Sequence, residues 1–426
     1  MIVGVGSEIE LIAGNVVAGG SSLARHDGKI VLIQGALPGE KIRARIIKET
    51  KTLIEAQAVE ILEAHPRRRT PPCRYSADCG GCDFQHAERD LQLEMKRSIV
   101  ADAFRRIAHV EVSEKLEGPT AAVPEFGART RIRVSYDSMG RPGLLRRASH
   151  DVVAIEDCLL MAPSFRESVL PWMRTLPPWE KASARLDGAG NAVVLLESRD
   201  GPHGKDHRRL ARITKEMDRP ASIGGVSADG IPLAGTRELV YEICGKKLAV
   251  DGASFFQGSV TGAEELVRVA GDMIGLERSG QLLDLYAGVG LFAVCCGAGF
   301  EHVVASDADE RAVRHLRGNL QHNGIEGEAR AEEAQVTLRK AERFAIETVI
   351  LDPPRTGMEK VVRETLVARR PARIVSVSCD AATGARDVAH LIAAGWTLER
   401  IAVLDLFPVT AHVETVTLLE RAASPS

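Results

Sequence analysis

Apolar and polar residues alternate along the first 62 positions in short runs, KIVLI, KIRARII and AQAVEIL, broken by glycines and by the Pro38-Gly39 pair. Period-two alternation over so few residues predicts half-buried strands, and several such strands between turn residues predict a small β-barrel. The period then changes. Residues 87–107 place Leu91, Met95, Ile99 and Phe104 at helical spacing. From about 126 to 245, strand-like runs (RIRVSY, NAVVLLES) mix with helical and loop segments. Beyond about 250, the apolar runs LLDLYAGVG, HVVASDAD, ETVILDPPR and RIVSVSCD alternate with helical stretches and end in acids, glycines or cysteine. That alternation predicts a doubly wound, Rossmann-like α/β domain around a parallel sheet. Two further runs, ERIAVLDLF and HVETVTLLE, lie close enough in the chain to pair antiparallel. The expected architecture is α/β: a barrel over 1–62, a mixed α+β middle domain over 63–248, and the Rossmann-like domain over 249–426.

Composition narrows this only slightly. The chain has 426 residues, 45% hydrophobic and 27% charged, which suits a globular protein with more than one core. No run approaches the length of a membrane span, and the opening MIVGVGSEIE lacks a signal peptide's basic and apolar regions. A cytoplasmic, monomeric protein with no membrane partner is expected. A net charge of −3 does not point to nucleic acid, yet Arg129 to Arg147 hold six arginines against one acid, Asp137. On charge alone such a run reads as a solvated face.

Eight cysteines in a reducing compartment favour metal binding or catalysis over disulfides. Three of them, Cys73, Cys79 and Cys82, fall within PPCRYSADCGGCDFQH. C-x5-C-x2-C is a three-ligand fragment of a zinc or an iron–sulfur site, and His86 would complete a zinc quartet. Cys295 and Cys296 follow the glycine turn on an apolar helix and read as core, while Cys244 lies in no motif.

Asp284-Leu-Tyr-Ala-Gly-Val-Gly290 is a strand, a glycine turn and a helix start. Gly288, Gly290 and Ala293 fit the G-x-G-x-x-A fingerprint, with Asp307 closing the next strand, and taken literally this proposes a nicotinamide-dependent oxidoreductase. Three features favour S-adenosylmethionine instead: the acid Asp284, suited to a cationic amino-acid cofactor, the Asp352-Pro353-Pro354-Arg355 end of the fourth strand, and the cysteine ending the fifth. Ligands of open parallel sheets gather beyond the carboxyl ends of the strands, so Asp307, Asp352 and Cys379 should share one rim. An antiparallel last strand adds Glu414 to it. A thiolate adding to C6 of uracil would make C5 nucleophilic toward a sulfonium methyl, and a base must then remove the C5 proton. Cys379, Glu414 and Asp352 match those needs.

These motifs together resemble the RNA uracil-5-methyltransferases, and within them the branch with an N-terminal TRAM domain and an iron–sulfur cluster. The likeness runs through GSSLARHDGKIVLIQGALPGEKIRARI, GLLRRASHDVVAIEDCLL, FFQ, DLYAGVG, ASDAD, DPPRTGM, SVSCDAATGARD and HVETVTLLER. It implies Cys379 as nucleophile and Glu414 as base. Gln257, Tyr286, Asp307 and Asp352 would bind S-adenosylmethionine, Asp352 also lying near the target base, and Phe255 would pack by the active-site nucleotide. The resemblance also supplies a remote fourth cysteine, Cys158, so that Cys73, Cys79, Cys82 and Cys158 would hold a [4Fe-4S] cluster beside the RNA-binding surface. With RNA as partner, Arg129, Arg131, Arg133, Arg146 and Arg147 become phosphate contacts. The implied substrate is 23S rRNA, with the tRNA T-loop as alternative and a non-catalytic RNA-binding or assembly factor as the reading of a different class. Three departures stand out: Cys379-Asp380-Ala381 for the usual Cys-Asn-Pro, Gly258-Ser259 for Val-Asn after Gln257, and Leu291 where relatives often carry Asn.

Overall fold

The alternating runs at the start of the chain pair as a five-stranded sheet. The computed structural model describes residues 4–421 except 277, 345 and 346. In spatial order the first sheet runs Glu8–Ile12, Lys41–Glu49, Leu53–Glu63, Lys29–Gln34 and Ser22–His26. It curls around Ile9, Leu11, Val31, Ile33, Ile42, Ala44, Ile46 and Ile54, the inward residues of each alternation. Its outward cations largely meet outward acids: Arg43 pairs with Glu10 and Glu60, Arg45 with Glu8, and Lys29 with Glu49. The sheet's basic residues are therefore mostly spent on its own carboxylates.

A seven-stranded sheet follows, in the order Ile231–Gly235, Ile223–Ala228, Ala192–Glu197, Lys181–Leu186, Arg131–Tyr136, Pro142–Leu145 and Val152–Ala154. In Arg131–Tyr136 the residues Ile132 and Val134 face the core, so Arg131 and Arg133 share the opposite face.

The last layer has eight strands: Glu328–Ala331, His302–Asp307, Gln281–Leu285, Glu347–Leu351, Arg373–Ser378, Glu414–Arg421, Trp396–Leu404 and Leu116–Thr120. The first five run parallel, and Glu414–Arg421 lies antiparallel between its two neighbours. Gln281–Leu285 and Glu347–Leu351 are buried at every position, as parallel strands covered on both faces must be. The edge strand Leu116–Thr120 and the helix Arg89–Ala103 come from the 63–248 stretch yet belong to this layer: Leu91, Met95, Ile99 and Val100 share a core with Val349, Leu351 and Val403. The sequence carries no period that reports this, because a helix shows which face is apolar and not what it will cover.

This topology sends one set of chain positions to a single edge. The residues following Leu285, Leu351, Ser378 and Leu404, and the residue opening the antiparallel strand, all emerge there. Among the described residues no helix is long and apolar enough to cross a membrane.

Candidate active site

A cavity of about 790 Å³ opens at that edge. Cys379, Asp352, Glu414, Asp307, Tyr286, Gly288, Gln257 and Phe255 line it, together with Arg129, Arg131 and Arg133. Residues far apart in sequence thus meet as the strand order requires.

Cys379 follows the strand Arg373–Ser378 and precedes the helix Ala381–Ala393. Asp380 caps that helix, its Oδ1 accepting from the Ala382 and Thr383 N–H groups at 3.0 and 2.8 Å. An asparagine carbonyl would cap equally well, so the Asp380 departure preserves the local geometry. Ser259 likewise caps the helix Val260–Ile274, accepting from the Gly262 N–H. Glu414 is buried at the first position of its strand, and Asp352 is half-buried beside it. Burial raises both carboxyls, and the Asp352 charge raises Glu414 further against the opposing Arg355 guanidinium. The Cys379 thiol is pushed up to about 11, chiefly by burial and then by the Glu414 and Asp352 charges. At neutral pH the free protein therefore holds a protonated thiol next to two carboxyls whose affinity for protons burial has raised.

The glycine turn is organised by Asp307, whose two oxygens accept the Gly288 and Asp309 N–H groups at 2.9 and 2.8 Å. Gly288, with φ +55°, faces open space, so a ligand can approach the backbone there. Gly290 does not line the cavity. A Cβ on it would lie 2.4 Å from Leu316 Cδ1 and its φ is +92°, so helix packing and the left-handed backbone both call for glycine there. Asp284 departs from expectation too: it is fully buried, accepts the Ala293 N–H at 2.8 Å, and stays outside the lining. Tyr286, at φ +60°, hydrogen-bonds Glu359. Phe255 is 66% exposed at the rim, an unusual position for a large apolar ring and a fitting one for stacking.

Arg355 and Phe407 are among the cavity residues to which the sequence assigned no role. Arg355 directly follows Asp352-Pro353-Pro354 and supplies a cation whose charge reaches both Glu414 and Cys379. Phe407 sits in the connection between the last two strands, where no motif marks it. Beneath it Asp405 is buried and pairs with Lys96 and Arg89, while Lys96 Nζ donates to the Phe407 carbonyl at 2.8 Å.

Cys73, Cys79, Cys82 and Cys158 line a second cavity of about 320 Å³. Arg129, Arg131 and Arg133 lie in the walls of both cavities. Burial raises the Cys79 and Cys158 thiols and pushes Cys82 up to about 11. Four thiols, the ligand type an iron–sulfur cluster uses, thus line one pocket walled by cations. No three His, Cys, Asp or Glu side chains among the described residues come together to hold one metal ion. His86 stays outside this pocket's lining. Arg146 and Arg147, expected as phosphate contacts, pair with Asp78 and Asp83 and so brace the cysteine loop.

The chain is similar to several known proteins. A family model described as tRNA (Uracil-5-)-methyltransferase matches residues 237–422. A Streptomyces avermitilis protein named "Uncharacterized RNA methyltransferase" is 33% identical, over 98% of this chain and 99% of its own. The 23S rRNA (uracil(1939)-C(5))-methyltransferase RlmD of Pseudomonas entomophila is 32% identical, over 98% and 94%. The crystal structure of Pyrococcus abyssi tRNA (uracil-54, C5)-methyltransferase with S-adenosyl-L-homocysteine shares the fold, with a TM-score of 0.72 at 23% identity over 96% and 100% of the two chains.

Proposed function

The chain belongs to the RNA (uracil-5-)-methyltransferases, and on that premise we propose that it methylates C5 of a uridine in 23S rRNA with S-adenosylmethionine as methyl donor. The convergence of Cys379, Glu414 and Asp352 beside the glycine turn carries this reading. S-adenosylmethionine supplies an electrophilic methyl group on a sulfonium. Tyr286, Gly288, Asp307 and Gln257 line the side of the cavity where it would sit, and Phe255 offers the target base a stacking face.

Cys379, once deprotonated, bonds to C6 of the uracil and moves electron density onto C5, which takes the methyl group. Glu414 then removes the C5 proton, the C5–C6 double bond re-forms, and the C6–S bond breaks to return the thiolate. Asp352 stands near enough to contact the pyrimidine edge, and its carboxyl, raised by burial, can donate as well as accept. Arg129, Arg131 and Arg133 would take phosphates of the incoming strand. Burial and the neighbouring Arg133 charge both depress Arg131, an unfavourable crowding of cations that a phosphate relieves. Cys73, Cys79, Cys82 and Cys158 would hold a [4Fe-4S] cluster. Methyl transfer is redox-neutral, so its contribution is to cross-link the cysteine loop to the middle sheet.

The substrate assignment follows relatives named for 23S rRNA, including one from Pseudomonas putida at 31% identity. The test is incubation with RNA containing 5-fluorouridine and S-adenosylmethionine, since fluorine at C5 blocks the elimination. A denaturation-resistant protein–RNA adduct is expected with a 23S rRNA fragment, and none with Cys379→Ala. An adduct with tRNA alone would move the target to the T-loop. No adduct with any cellular RNA would leave a binding or assembly factor.

A further inference from the structure

The strand ending at Leu404 connects to the strand opening with Glu414 through residues 405–413, which put Leu406 and Phe407 on the cavity wall. The cysteine loop grips this connection from outside. The Asp83 and Phe84 N–H groups both donate to the Val409 carbonyl at 2.8 Å, and Asp83 Oδ2 accepts the Ala411 N–H at 2.9 Å. Asp83 Oδ1 accepts from Arg147 at 2.6 Å, and a second Arg147 nitrogen donates to the Cys82 carbonyl at 2.6 Å. From the helix Arg89–Ala103, Gln92 Oε1 accepts the Val409 N–H at 3.0 Å. From the N-terminal sheet, Gly20 packs so closely that a Cβ on it would lie 3.1 Å from both Asp83 and Ala411.

Val409 has φ +57°, a left-handed conformation that a β-branched side chain strongly disfavours. The connection does not adopt this shape by itself; the hydrogen bonds and the burial of Val409 impose it. Cys379 is set by the Asp380 cap and by its own strand, whose last residue Ser378 pairs with Thr415, so it makes no direct contact with the clasp. Glu414 comes three residues after Ala411, and on its N-terminal side the 405–413 connection is held at one end by Asp405 and Phe407 on Arg89 and Lys96 and at the other by this clasp.

We propose that Asp83 is a positioning residue for proton removal: it clasps the 405–413 connection to the cysteine loop and so holds Glu414 and Phe407 in register with Cys379. The proposal rests on the methyl-transfer reading above. Its signature is specific. Loosening the clasp should leave attack by Cys379 intact while slowing the step that releases it, so the covalent adduct should build up on ordinary uridine.

The experiment measures methyl transfer and denaturation-resistant adduct on unmodified 23S rRNA transcript for wild type, Asp83→Ala, Asp83→Asn and Gly20→Ala. Asp83→Ala is expected to lower kcat by about 10- to 100-fold through misplacement of the base. KM for RNA should stay within about twofold, and adduct absent from wild type should accumulate. Asp83→Asn keeps an oxygen for the Ala411 N–H and should recover most of the rate. Gly20→Ala, which pushes on the clasp from the other sheet, should also accumulate adduct. Wild-type turnover in Asp83→Ala, or slowed turnover without adduct, overturns the proposal. If Asp83→Ala does not fold, Gly20→Ala decides it on the same readout. A wild-type protein that makes no 5-methyluridine sinks the functional reading instead.

Discussion

The burial that would suit Glu414 to the proposed proton removal costs stability. The Glu414 carboxyl is buried with a raised pKa, so at neutral pH the native state binds more protons than the unfolded chain. Stability from this group is therefore complete below the unfolded value near 4.5 and is lost as pH rises through the folded value. Glu414→Gln removes the titration. The variant should melt about 1–3 °C above wild type at pH 8 and equal it near pH 4, by thermal denaturation, while failing to release the adduct. Equal melting at pH 8 would contradict the assignment. The two proposed reacting residues were legible from strand order: Cys379 follows a parallel strand and Glu414 opens an antiparallel one, which brings both to the same edge of the sheet. Arg355 was quoted within DPPRTGM and left without a role, although the same argument applies one turn beyond Asp352. For Gly290 and Asp284 a fingerprint records that a small or acidic residue is needed, and not whether a ligand or the core needs it. The neighbours the fold gives them are Leu316 and the Ala293 N–H.

At the scale of elements, caps and loops explain which departures from the family pattern matter little. Asp380 and Ser259 both accept helix N–H groups, so the two altered loops keep their shape. The cysteine loop is bound into the fold by more than its thiols. Gly80 passes against the Arg147 backbone, where a Cβ would come within 2.9 Å, and the Gly80 N–H donates to the Leu145 carbonyl at 3.0 Å. Cys158 approaches from the segment after Val152–Ala154, so a cluster held by all four thiols would tie two separate stretches together. Anaerobically purified protein should be brown. Cys158→Ser should bleach it and lower its melting temperature, followed by visible absorbance and iron content. A colourless protein carrying one zinc ion would overturn the cluster while leaving methyl transfer untouched.

At the scale of the whole molecule, the arginine-bearing face of the seven-stranded sheet forms a wall of the cavity at the edge of the eight-stranded one. Arg133 pairs with Glu197 at 2.7 Å, and no ion pair among the described residues engages Arg131. Arg131→Ala should therefore weaken RNA binding with little regard to sequence and reduce the slope of log K against log salt by about 0.7–0.9. An unchanged slope would remove Arg131 from the phosphate contacts. The sequence by itself determined the strands, the doubly wound order and the residues at the strand ends, because those depend on local period and on the chemistry of neighbours. It also held the family resemblance in short contiguous motifs. Only the tertiary structure decided that the helix Arg89–Ala103 and the strand Leu116–Thr120 complete the catalytic layer, that Arg146 and Arg147 brace the cysteine loop, and that Asp83 grips Val409 and Ala411. Side-chain partners separated by hundreds of residues follow from which surfaces cover one another. That is a property of the packed chain, and no local pattern encodes it.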